Sequence, residues 1–184
     1  VLGRVLLLQG QYASALEQFD FAQQVGETIL KESVDLATVV EGSEQRVSLV
    51  EAENENLDAR EVVATASLER AAVLGKVGKF QDQLMAFEVA IHGYQALSNN
   101  LRHMRPYKEN LSAALYNQGW ALYRLGRTRE AEMALREASI YYDHLARIFE
   151  LPKFVEHKGV TIDATGRMFS DQGKDEDAAR IHQT

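Results

Sequence analysis

The chain has 184 residues, 46% of them apolar and 26% charged, which excludes both a disordered and a membrane-embedded protein. Zero Cys excludes a disulfide framework, a thiolate zinc site and a Cys nucleophile. With 20 Lys+Arg against 27 Asp+Glu the net charge is −7, the wrong sign for non-specific nucleic-acid binding.

A chain this long buries roughly 70% of its unfolded surface and needs no staple to fold. Only two Pro occur, and Ala, Leu, Glu, Gln and Arg, the strong helix formers, are abundant. No alternating run bounded by turn residues reads as a strand, so the expectation is an all-helical protein.

In chain order, Gly3, Leu6 and Gly10 are followed by Tyr12, Ala15-Leu16, Phe19 and Ala22. This reads as a helix, a Gly stop and a second helix running from Tyr12 to about Val40. The Val5–Leu8 run inside it is far shorter than the roughly 20 residues of a membrane span, and Arg4 and Gln9 bracket it too tightly for a signal peptide. The location expected from this is cytoplasmic. Glu41-Gly42-Ser43 breaks the second helix. Ser43 to Leu57, with Glu44, Glu51, Glu53 and Glu55, reads as a short extra helix or an acidic loop. Asp58-Ala59-Arg60-Glu61 then reads as a capping box opening the next helix.

The same spacings return at Ala71, Leu74, Gly78, Phe80, Gln83-Leu84, Phe87 and Ala90-Ile91, with the second helix running from Asp82 to about Leu101. After Pro106-Tyr107 they return at Gly119, Leu122, Gly126, Thr128, Ala131, Leu135 and Ala138, with a second helix from Thr128 to about Phe149. After Pro152-Lys153-Phe154 a fourth, degraded copy holds Gly166, Phe169, Gly173, Asp175, Ala178 and His182. Pro ends one helix and suits the first turn of the next. Each slot has a physical reading. Gly10, Gly78, Gly126 and Gly173 stand where the first helix stops and a left-handed residue is needed. Gly3, Ala71, Gly119 and Gly166 let the paired helix approach, as do Ala15, Ala131 and Ala178 from the other side. Phe19, Phe87 and Leu135 are expected to fill gaps between adjacent hairpins.

These slots resemble the tetratricopeptide repeat (TPR), read as W-x2-L-G-x2-Y, A-x3-F and P. Leu2-Gly3 and Ala15-x3-Phe19 are literal; Gln83-x3-Phe87 and Ala131-x3-Leu135 are variants, and Leu115 and Ile162 replace the motif Trp. The resemblance implies an all-α, TPR-like α-solenoid of antiparallel helix hairpins, about seven or eight helices. Its expected units are repeat 1 (about 1–40), an acidic spacer (41–57), repeat 2 (about 58–103), repeat 3 (about 106–149) and repeat 4 (about 152–184). The marker glycines lie 68, 48 and 47 residues apart, against 34 for the standard repeat. That long period, with the Leu125-to-Ala131 stretch, is similar to TPR arrays attached to bacterial Hanks-type serine/threonine protein kinases. The first residue falls inside one hairpin and Thr184 inside another, so the sequence predicts a segment of a longer solenoid.

No catalytic constellation is legible. H-R-D, D-F-G and G-x-S-x-G are absent, and Gly75-Lys76-Val77-Gly78-Lys79 is a helix end rather than a P-loop. No two His share the i, i+3 or i, i+4 spacing of a helix-borne metal pair. Asp175-Glu176-Asp177 reads as dipole compensation at a helix start. The expectation is therefore no enzyme, no cofactor and no metal.

The first helices of stacked hairpins line the concave wall. That wall is expected to hold Arg4; Leu68, Glu69, Ala72, Gly75 and Lys76; Tyr116, Asn117, Trp120, Tyr123 and Arg124; and Asp163, Ala164, Arg167, Ser170 and Asp171. Trp120, the single Trp, stands with Tyr116 and Tyr123 at helical spacing. Aromatics and Arg dominate binding hot spots, and an Asn can both donate to and accept from a peptide backbone. The TPR resemblance implies that role for Asn117. Tyr116, Asn117, Trp120, Tyr123, Arg124 and Arg167 are thus the candidate partner-binding residues, unless Trp120 and Tyr123 are core. Arg124 and Arg167 would favour an acidic or phosphorylated peptide. The leading reading is a protein–protein interaction scaffold. The alternatives are a segment regulating an attached kinase domain and a self-association module.

Overall fold

The computed structural model describes residues 2–37, 45–100, 105–174 and 178. Seven helices follow one another: α1 (Leu2–Leu8), α2 (Tyr12–Ala37), α3 (Gln45–Lys76), α4 (Phe80–Asn100), α5 (Arg105–Arg124), α6 (Thr128–Phe149) and α7 (Pro152–Ser170). No strand occurs among the described residues. Each helix packs on the one before it and the one after it, so the chain is an all-α, TPR-like solenoid of antiparallel hairpins.

The hairpins turn where the sequence places Gly. Gly10, Gly78, Gly126 and Gly173 have φ of 75°, 76°, 75° and 71°. In each turn the amide just after the glycine reaches back five positions, as Lys79 N to Leu74 O at 2.9 Å and Arg127 N to Leu122 O at 2.9 Å. This left-handed closure satisfies helix-end carbonyls, and a side chain with a Cβ would be strained there. The close-packing slots are filled as the spacing predicts: Ala15, Ala71, Ala131 and Ala138 are all fully buried. A Cβ on Gly119 would lie 2.7 Å from Leu135 Cγ, and one on Gly3 would lie 2.7 Å from Phe19 Cε1. Phe19 and Leu135 therefore fill space inside their own hairpins rather than between hairpins. The glycine opposite leaves a hollow for them.

The largest departure from the sequence reading is α3. It runs unbroken from Gln45 through Asp58 to Lys76, so Asp58 caps nothing and residues 45–57 are its opening turns. By contrast α5 and α7 each begin 14 residues before their close-packing glycines, Gly119 and Gly166. The fourth copy's Asp175-Glu176-Asp177 and His182 lie outside the described residues; Ala178 is buried.

The main core runs from α3 to α7. It includes Leu74, Phe87, Tyr94, Leu111, Leu135 and Met168. The Tyr94 and Thr65 hydroxyls share a 3.0 Å hydrogen bond, and burial pushes the phenol above its ordinary pKa. The odd-numbered helices are also tied to one another along one side. Arg4 on α1 pairs with Glu69 on α3. Tyr107 on α5 donates to Glu61 on α3 at 2.6 Å. Lys153 on α7 donates to Glu109 on α5 at 2.5 Å, and Tyr123 on α5 donates to Asp171 beyond α7 at 2.6 Å.

Candidate functional site

Helices α3 and α5 lie side by side, and steps of three and four residues bring one face of each to the gap between them. Counted from Ala71 and Gly119, the facing side chains occupy matching slots. Leu68 matches Tyr116, Glu69 matches Asn117, Ala72 matches Trp120, and Lys76 matches Arg124. Gln83 and Phe87 of α4 complete the walls of a groove of about 780 Å³. The space exists because Ala72, Gly75 and Ala113 present so little bulk. Gln83 stands in the slot that Ala15 and Ala131 hold elsewhere. It is too large for close helix packing, and a Cβ on Gly75 would press against its amide.

Trp120 is neither wholly core nor wholly surface. It is half-buried and packs against the main core, yet it lines the groove. Its indole meets Tyr123 edge-on, with centroids 5.9 Å apart and planes at 73°. Asn117 is exposed beside it, and Tyr116 is half-buried. The Arg124 guanidinium lies 5.2 Å from the centre of the Phe80 ring. That stacking holds the cation without neutralising it. Lys76 is exposed, with no ion pair or hydrogen bond among the described residues. Glu69 is different, because Arg4 reaches across from α1 and pairs with it.

Two candidate residues stand elsewhere. Tyr123 faces α7, and its bond to Asp171 holds the phenol above its usual pKa. Arg167 is exposed on α7 and does not line this groove. The expected positive spot of Arg124 with Arg167 is thus corrected: the second cation is Lys76. Arg167 holds the Trp120 slot one repeat further on, across α5 from the groove. Ala164, also expected on the wall, is buried in the main core. The structure brings Tyr116, Asn117, Trp120 and Arg124 together. Sequence reasoning missed Gln83 and Phe87 as wall residues. An amide in an Ala slot was the available signal.

No group of three or more metal-ligating side chains occurs among the described residues, and none of the described helices is long and apolar enough to cross a membrane. No family model and no curated protein matches the chain. Among solved structures it is similar to the crystal structure of MamA, with 15% identity and a TM-score of 0.43, covering 100% of this chain and 91% of that one.

Proposed function

We propose that this chain is a protein-interaction module that holds an acidic or phosphorylated peptide in the groove between α3 and α5. The supporting observation is the combination of a half-exposed Trp120 with two cations, Lys76 and Arg124, that carry no counter-ion among the described residues. The indole supplies apolar area at small entropic cost. Asn117 can bond a peptide main chain in both directions, and the cations suit carboxylate or phosphate. The resemblance to TPR arrays supports the same role. Binding without catalysis suits a wall that joins no general base to a nucleophile.

Fluorescence anisotropy with a panel of ten-residue acidic, phosphorylated and neutral peptides tests this. Acidic and phosphorylated peptides should bind more tightly than neutral ones. Trp120→Ala should weaken them by about 2 kcal/mol or more, the hot-spot scale, with an unchanged far-ultraviolet spectrum. Equal binding of all three classes, or a Trp120→Ala variant that binds normally, would contradict the assignment.

A further inference from the structure

The two walls of the groove occupy equivalent slots, yet one pair is mismatched in charge. Lys76 and Arg124 match each other, whereas Glu69 stands where α5 has the neutral Asn117. A bare carboxylate there would repel the ligand that Lys76 and Arg124 favour. Glu69 is not bare. Its side chain is 19% exposed, and its carboxylate is paired with Arg4, which comes from α1 and does not line the groove.

We propose that Arg4 sets the groove's charge selectivity by cancelling Glu69, so that the first hairpin makes the groove between α3 and α5 selective for anions. This rests on the reading of that groove as a ligand site and adds a positioning residue to it. Glu69 and Lys76 are seven residues apart, about 10 Å along the helix axis. That is about one Debye length at 0.1 M salt, so removing Arg4 would lower the potential at Lys76 and in the groove that Trp120 also lines, at low ionic strength, and do little at high. The pair is also replaceable. Arg4 is mostly solvated, with 62% of its side chain exposed, so an Arg4 left alone by Glu69→Gln stays hydrated.

The single Trp is a built-in reporter. Quenching of Trp120 fluorescence by iodide, caesium and neutral acrylamide reads the local potential with no need of a peptide. In the unmodified chain at about 20 mM salt, iodide should quench more strongly than caesium. Arg4→Gln should lower the iodide-to-caesium ratio about two-fold or more, as one unmasked charge at this distance predicts. Arg4→Lys should keep the ratio, Arg4→Gln/Glu69→Gln should restore it, and about 0.5 M salt should erase the difference. Acrylamide quenching should not change in any of them.

An unchanged ratio in Arg4→Gln would overturn the proposal, as would a change that Glu69→Gln fails to reverse. A rise in acrylamide quenching would overturn it too, because Arg4 would then be holding α1 in place rather than setting a potential. The peptide reading fails separately. If the quenching pattern is as expected but no peptide of the panel binds, the role of Arg4 stands and the peptide assignment falls.

Discussion

The interval between α3 and α5 and the interval between α5 and α7 are built from the same slots, yet one is open and the other is stitched. Both are tied near the start of the later helix by acids in the same register. Glu61 receives Tyr107 at 2.6 Å, and Glu109 receives Lys153 at 2.5 Å. They diverge at the other end. Between α5 and α7, Tyr123 donates to Asp171 at 2.6 Å and draws the walls together. Between α3 and α5 the slots that match Tyr123 and Asp171 hold Gly75, which has no side chain to donate, and Arg124, with Lys76 beside them as a second cation. In a solenoid, then, the residue at the end of each first helix can decide whether an interval is packing or a groove.

The first way to test this picture is to break what both intervals share. Ala138 is fully buried in α6, which packs on α5 and α7 alike. Ala138→Arg adds both bulk and an unpaired charge to a closed site, so it should cost several kcal/mol, on the order of the overpacking and buried-charge penalties together. A melting curve within a degree or two of the unmodified chain would show that the repeat register is wrong.

A smaller effect separates the ties. Tyr107 is buried, and burial, reinforced by the bond to Glu61, pushes its phenol up to about 12. A raised folded-state pKa favours the protonated form in the folded protein. The contribution is therefore whole below pH 10 and is lost as the pH climbs through 12. Tyr107→Phe should cost about 1 kcal/mol at neutral pH, the usual net worth of such a bond. Tyr123→Phe, whose bond to Asp171 is exposed, should cost less. Thermal melts at pH 7 and an absorbance titration of the phenols up to pH 12 would check both. A larger loss from Tyr123→Phe would reverse the ranking of the two ties.

The features legible in the sequence are those fixed by local chemistry. The four turn glycines, the buried Ala131 and Ala138, and the bounds of α6 follow from sterics within one hairpin. What eluded reading depends on context. Asp58-Ala59-Arg60-Glu61 has the pattern of a capping box, but such a pattern starts a helix only where the chain before it is not already helical. Residues 45–57, with the helix formers Gln45, Arg46, Leu49, Glu51, Ala52, Glu53, Glu55 and Leu57, supply helix up to Asp58 and beyond. The groove was half legible. Helical spacing joined Tyr116, Asn117, Trp120 and Arg124 on one face. It could not say that the opposite wall is α3 with Gln83 and Phe87 of α4, because that depends on which interval Tyr123 and Asp171 close. Arg167 was misplaced for that reason.

The most direct test of the two-interval account is hydrogen exchange of the chain with and without the tightest-binding acidic peptide of the panel. The account predicts slowed exchange over residues 68–76 and 116–124, with residues 153–171 unchanged. Protection confined to 153–171 would show that the stitched interval is the binding site and would contradict the account.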